Sequence, residues 1–372
     1  MAVAYGTGLR PPGVRRRVEG ATYEPLRGAA REAALAWKLR WRRLHRLRDA
    51  RHSGRDLVPL GAPPRLPAGA IPVFAVVRDE IERLPHWLEW HRRIGAGPFV
   101  VVDNGSSDGT TELLLGEEDV HLWRTEASYR ASRFGVDWLN HLLRRHGTGR
   151  WCVVLDADEL LLAPHHGVRD LRALTTWLDG RGGRSMGALM LDLYPDAPVG
   201  AGPAFAPGDD PLAALTLFDP DGYRGTRQRV LRNLWIQGGP RDRLFHRAAP
   251  RRAPTLNKLP LVRWRKGDAL VNSAHTALPR GLNDVWERVP GTPAQDLARP
   301  VAALLHTKLL PMIRARSAIE KARGEHFHDP LGHDGYYDAL IAGPDFRHGG
   351  SLALEGWEQL ERLGLITRGA WT

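Results

Sequence analysis

Between residues 71 and 156 short apolar runs alternate with stretches of helical period, and this alternation restricts the fold more than any other feature of the chain. "IPVFAVVR" (71–78), "PFVVVD" (98–103), "VHLWRT" (120–125) and "WCVVLD" (151–156) read as buried strands. Between them, "RLPHWLEWHRRIG" (83–95) opens with Pro85 and ends at Gly95, as a helix should. "TTELLL" (110–115) and "SRFGVDWLNHLLRRHG" (132–147) supply two more helices, the first entered through the turn "NGSSDGT" (104–110). A βαβαβ series of this kind predicts an α/β fold, a Rossmann-like, mostly parallel sheet with helices on both faces. Such sheets bind ligands outside the carboxyl ends of their strands. Arg78, Asp103 and Asp156 each fall at the carboxyl end of a different strand, so three polar groups converge on one crevice.

The flanking regions read differently. Residues 1–70 form a basic, Pro/Arg-rich segment containing "REAALAWKLRWRRLHRLRDAR" (31–51), where eight Lys/Arg face only Glu32 and Asp49. That piece carries about half of the net charge of +11. Trp37, Trp41 and Leu44 recur at i, i+4, i+7, one helical stripe. The stripe either packs on the main domain or lies on an anionic membrane surface with its tryptophans at headgroup depth; nucleic acid is the weaker option. After residue 185, "MGALMLDLY" (186–194) reads as a strand and 195–225 as a loop region. Strand-like pieces follow near 228–236, 243–247, 259–264 and 268–273, and from about 301 the chain reads as helical. The expected division is therefore a segment 1–70, a catalytic domain 71–300 and a helical extension 301–372.

The single cysteine, Cys152, excludes an intrachain disulfide and any cysteine-based zinc site. No signal-peptide pattern and no apolar run of membrane-spanning length occur, so the expected location is cytoplasmic, with peripheral contact at the inner membrane face through 31–51. Only five of the 53 basic residues are lysines, an arginine bias suited to phosphate or carboxylate recognition.

Neither a G-x-G-x-x-G after the first strand, nor a P-loop, nor H-E-x-x-H is present. "VVLDADEL" (153–160) instead sets Asp156 and Asp158 two apart on an extended segment, on one face and roughly 6.6 Å apart along the chain. Two ionised carboxylates so placed raise each other's pKa unless a cation joins them. Hard oxygen ligands of this kind suit Mg²⁺ or Mn²⁺, which bind one or two carboxylates together with substrate phosphates. On spacing alone, the same acids serve equally well as a helix cap or a turn.

These residues carry a resemblance. "VVVDNGSSDGT" (100–110) and "VVLDADEL" (153–160) are similar to the nucleotide loop and D-x-D motif of the family-2 glycosyltransferases of the GT-A fold. Residues 76–110 resemble a bacterial subgroup whose first helix runs L-P-x-W-L-x-x-H, and the likeness continues through "NKLPLVRW" (257–264), "SAHTAL" (273–278), "LLHTK" (304–308) and "GLI" (364–366). It spans roughly 71–372. Where many members have two aspartates, this chain has Asp103–Asn104, which puts the base preference in doubt.

The resemblance implies a metal-dependent, inverting transfer from a UDP- or GDP-sugar to a glycan, lipid-linked or protein acceptor, as in polysaccharide biosynthesis. It implies Mn²⁺ or Mg²⁺ on Asp158, with Asp156 touching the ribose or a metal-bound water. Asp103 and Asn104 would face the base and Arg78 the rim of the crevice. His275 would reach back to the metal or diphosphate. Arg241 and Arg243 would close over the diphosphate, with the general base expected at Asp242 or Asp192. Lys258 and His306 lie in matched stretches without an assigned role. Two rivals stay open from the residues: a glycoside hydrolase, whose acids must flank the scissile bond, and a non-catalytic basic protein that binds membrane or nucleic acid.

Overall fold

The computed structural model describes residues 29–292, 297–323 and 330–372. Helix α1 (Ala29–Ser53) leads into β1 (Val58–Leu60) and then into the α/β series. That series is β2 (Val73–Val77), α2 (Leu84–Arg93), β3 (Phe99–Asp103), α3 (Thr110–Leu115), β4 (Val120–Arg124), α4 (Val136–Leu142) and β5 (Trp151–Val154). Strands β4, β3, β2 and β5 lie side by side and parallel, with Val77 level with Asp103 and Asp103 level with Arg124. Their continuous apolar runs match strands covered on both faces.

The sheet continues beyond β5 as a mixed half. β6 (Glu159–Leu162), α5 (Leu171–Gly180) and β7 (Ser185–Tyr194) follow in sequence. The chain then runs through α6 (Pro211–Ala214), β8 (Leu217–Phe218), β9 (Arg224–Arg227), β10 (Leu234–Gln237) and α7 (Gly239–Phe245). β11 (Asn257–Arg263) returns antiparallel between β5 and β7. β12 (Ala269–Asn272) and β13 (Thr276–Leu278) make a separate hairpin, and β14 (Val301–His306) inserts between β7 and β6. The full order is β1-β4-β3-β2-β5-β11-β7-β14-β6. The C-terminal part adds α8 (Ile313–Arg323), α9 (Pro330–Ile341), β15 (Leu352–Ala353) and α10 (Trp357–Arg362).

Three expectations are corrected here. The extension expected from 301 begins with a strand: "VAALLH" is fully buried and hydrogen-bonded on both sides, so a boundary at 300 would cut through the main sheet. Short apolar runs are ambiguous between helix and strand, and tertiary pairing decided this one. Residues 243–247 are not a strand, because α7 covers most of them, opened by Gly238 in the positive-φ region and by Pro240 in its first turn. The segment 1–70 is not separate either, at least from residue 29. β1 pairs with β4, Leu57 joins the main core, and Leu39 packs with Leu231, Val271 and Leu278. Residues 1–28 lie outside the described residues.

Helix α2 shows how sequence becomes packing. Leu84, Trp87, Leu88 and His91 fall on its buried side, and the Trp87 and Trp90 indoles donate to the carbonyls of Glu159 and Leu161, each at 3.0 Å. This fastens α2 over β6, next to the acidic motif. His91 is fully buried, its Nδ1 2.7 Å from the Trp87 carbonyl and its Nε2 accepting from the Leu161 N–H. Burial pushes its pKa down to about 3. A histidine so depressed stays neutral in the folded state but takes up a proton when unfolded. Stability should therefore fall as pH drops below about 6.5, at up to about 1.4 kcal/mol per pH unit for this group. Denaturant midpoints from pH 7.5 down to pH 4.5 should show that decline, and His91→Gln should flatten it.

Among the described residues, no helix is long and apolar enough to cross a membrane.

Candidate active site

The acidic motif sits where β5 ends and the chain turns toward β6. Asp156, Asp158 and Glu159 bring carboxylate oxygens within 4.8 Å of one another. Unrelieved, three like charges this close would oppose ionisation. The fold relieves them with cations from two strands distant in sequence. Lys258 of β11 places its Nζ 2.5 Å from Asp156 Oδ2 and 2.6 Å from Glu159 Oε1. Lys258 lies three residues before Leu261, which stands opposite Val153, so the antiparallel pairing of β11 with β5 brings it near the end of β5, where Asp156 follows. Burial works against the charge on Lys258, yet Asp156 and Glu159 outweigh it and raise its pKa.

His306 ends β14 level with Glu159 on one side and Asp192 on the other. Its Nε2 lies 3.1 Å from Asp158 Oδ2 and its Nδ1 2.6 Å from Asp192 Oδ1, while Arg241 Nε donates to Asp192 Oδ2 at 2.7 Å. The result is a chain of alternating charge, Asp158–His306–Asp192–Arg241, running inward from the crevice. Burial opposes the His306 charge, but Asp158 and Asp192 prevail and its pKa is raised. Burial likewise favours a neutral Asp158, but the charge and hydrogen bond of His306 hold its carboxyl well below the usual range.

Asp156 and Asp158 each keep one carboxylate oxygen without a protein partner among the described residues. Glu159 does not: it is 1% exposed, pairs with Lys258 and accepts from the Asp156 N–H at 3.1 Å. The donor set thus fits a hard divalent cation at Asp156 and Asp158, with Glu159 as a buried counter-ion. His275 is not in this group. It is buried in the turn before β13, its Nδ1 2.7 Å from the Asn257 carbonyl. Burial, followed by Lys258, lowers its pKa well below the usual value, so the ring is neutral and its Nε2 carries the lone pair.

The loop 104–110 follows β3, at the same edge of the sheet as the motif. Asp103 is fully buried and builds that loop: it accepts from Ser106 N at 2.9 Å, Ser106 Oγ at 2.6 Å and Thr111 Oγ1 at 2.5 Å. Both oxygens are engaged within the fold, which corrects the expectation that Asp103 presents a carboxylate to a ligand. Asn104 donates from Nδ2 to the carbonyls of Thr125 and Ala127, at 3.1 and 3.0 Å. Its Oδ1 is buried without a donor, a costly state that a ligand N–H would relieve. Arg78 donates to the Asn104 carbonyl at 2.9 Å and holds the rim. Tyr129, on the loop after Ala127, feels both Asp156 and Asp158: burial first and then these carboxylates raise its pKa.

Three further expectations are corrected at α7. Arg241 is buried and its Nε is spent on Asp192. Arg243 pairs with both oxygens of Asp219, at 2.9 and 3.0 Å, and donates to the Phe346 carbonyl at 2.7 Å, tying α7 to the C-terminal region. Asp192 has both oxygens spent inside the buried chain of charges, so it cannot take a proton from an acceptor. Asp242 is paired with both terminal nitrogens of Arg224. Gly238 before it answers to crowding: a Cβ there would lie 2.6 Å from the Gly222 carbonyl oxygen.

Lys258 and His306, which carried no assigned role in the sequence, are parts of this site. A faint signal was there, since a lysine in a lysine-poor chain and a histidine each close or interrupt an otherwise apolar strand.

Against known proteins, the chain matches no protein-family model and no curated protein. Two solved structures are similar over part of it. One is the crystal structure of S. aureus TarS 1–349, at 12% identity over 40% of this chain and 41% of that one, with a TM-score of 0.24. The other is the mannosyltransferase PcManGT from Pyrobaculum calidifontis in complex with GDP-Man and Mn²⁺, at 20% identity over 42% and 47%, with a TM-score of 0.26. The matched region thus spans less than half of either solved chain.

Proposed function

We propose that the chain is a glycosyltransferase of GT-A type, moving a sugar from a nucleoside diphosphate to an acceptor hydroxyl with inversion. The observation that carries this reading is the pair of open oxygens on Asp156 and Asp158, set beside the buried, donorless Oδ1 of Asn104. One ligand answers both: a nucleotide whose base N–H meets Asn104 and whose diphosphate reaches the acids through Mn²⁺ or Mg²⁺. Bound at Asp156 and Asp158, the metal would supply Lewis-acid stabilisation of the departing diphosphate. Lys258 orients Asp156, and His306 orients Asp158 and holds its charge. Arg78 fixes the loop, and the neutral His275 contributes an open Nε2. Asp242 keeps the base role, because its partner Arg224 is partly exposed while the partners of Asp192 are buried. The donor is a UDP- or GDP-sugar, and the acceptor a glycan, lipid-linked or protein hydroxyl.

A glycoside hydrolase fits poorly. Its two carboxyls stand about 5 Å or more apart on opposite sides of the scissile bond, whereas these oxygens cluster within 4.8 Å on one turn and Glu159 is inaccessible.

Calorimetry with UDP and GDP, with and without Mn²⁺, tests the reading. Binding should require the metal, and turnover of the matching nucleotide sugar should release the free diphosphate. Tight binding of neither nucleotide in saturating Mn²⁺ would count against it. Asn104→Ala should weaken nucleotide binding by about five-fold or more through the lost hydrogen bond. Its metal requirement should persist, and a melting curve reports any loosening of the loop.

A further inference from the structure

Helix α1 is built inside out. Its fold-facing side is tied down by Leu39 and Ala50, by Glu32 paired with Arg280, and by Asp49 paired with Arg133 at 2.8 Å. The stripe of Trp37, Trp41 and Leu44, expected either to pack on the domain or to lie on a membrane, points away from the protein: these side chains are 61, 48 and 44% exposed. The two indoles meet edge to face with centroids 5.8 Å apart, forming one apolar ridge. Lys38, Arg40, Arg48 and Arg51 are exposed around that ridge and form no ion pair among the described residues. Both acids of the helix are consumed by arginines of the fold, so the outward face carries cations and no counter-charge.

We propose that this outward face of α1 docks on an anionic lipid surface. Charge complementarity and depth both favour such a surface. Indoles prefer the headgroup level of a bilayer, and arginines and lysines beside them reach the lipid phosphates. A rigid helix of 25 residues, about 37 Å long, holds the ridge and its cations in one plane. Nucleic acid would meet the cations but gives the Trp37–Trp41–Leu44 ridge no apolar medium to enter. A second copy of the chain would set like charges face to face. This proposal is independent of the glycosyl-transfer reading.

The test uses the full chain with vesicles of phosphatidylcholine alone or mixed with phosphatidylglycerol. Co-sedimentation should occur only with the anionic vesicles, weaken with added salt, and blue-shift the tryptophan emission. The variant Trp37→Ser/Trp41→Ser/Leu44→Ser changes exposed residues only and should keep the wild-type melting curve. It should lose roughly ten-fold or more in vesicle partition and lose the blue shift. Arg48→Gln/Arg51→Gln should weaken binding by a smaller factor. Equal binding to neutral vesicles, no binding at low salt, or wild-type binding by the triple variant overturns the proposal. So does a dimer in sedimentation equilibrium that the triple variant abolishes, or DNA binding of similar strength that is insensitive to it.

Discussion

Asp158→Asn should lose metal-dependent nucleotide binding and sugar transfer together, by on the order of 10²-fold or more. Asparagine keeps the size of the side chain and an oxygen for His306 Nε2, so the buried chain of charges behind it can persist. What disappears is the negative charge that a divalent cation requires. The carboxyl of Asp158 is held below the usual range, so its charge stabilises the fold above about pH 4, and that stability is lost as pH falls through the depressed value. The variant should therefore melt somewhat lower at neutral pH and depend less on pH on the acid side. Melting curves with and without Mn²⁺ and UDP or GDP separate the roles. If Asp158 only stabilises the fold, the variant still gains the full ligand-induced stabilisation. If Asp158 holds the metal, that gain vanishes.

The largest stability effect is expected at Lys258. Its ammonium is buried between Asp156 and Glu159, and Glu159 has no route to water. Burial already raises the Glu159 pKa to about 7 against the pull of Lys258. Lys258→Met should therefore drive it to take up a proton at neutral pH. The loss should reach about 3–5 kcal/mol only at higher pH, where the carboxyl must stay ionised and unpaired. Adding Glu159→Gln removes the orphaned charge, so the double variant should recover most of the loss. Denaturant titrations of wild type, both single variants and the double variant form a cycle that measures the coupling. Additive effects would show that the ion pair does not form. The double variant also frees Asp156 Oδ2, so its metal affinity reports how far Lys258 competes with a cation for that oxygen.

Much of the fold was legible from local pattern. Strands β2 to β5 and helices α2 to α4 follow from apolar runs of strand length and from helical periods, with Pro85 and Gly95 bounding α2, each a matter of neighbours a few residues apart; α4 starts at Val136, inside the stretch 132–147 that read as helix. The placement of three polar residues was legible for the same reason: once β2, β3 and β5 are parallel, Arg78, Asp103 and Asp156 fall at one edge of the sheet. The pattern failed at "VAALLH", whose strand character depends on β6 and β7 on either side, and at 243–247, where backbone geometry at Gly238 and Pro240 set a helix. It placed Trp37, Trp41 and Leu44 on one stripe without revealing which way that stripe faces, because both sides of α1 carry apolar and basic residues.

The chemistry of the site divides along the same line. The sequence by itself determined that three acids follow a buried strand, and left open whether they meet a cation or cap a turn. Only the tertiary structure decided which cations answer them: Lys258 lies 102 residues from Asp156, and His306 lies 148 from Asp158. It likewise assigned Arg241 and Arg243 to internal partners and turned Asp103 into the brace of its own loop. Periodicity and residue type are written along the chain, whereas charge pairing depends on the register of strands far apart in sequence. That register is set by the packing of the whole sheet.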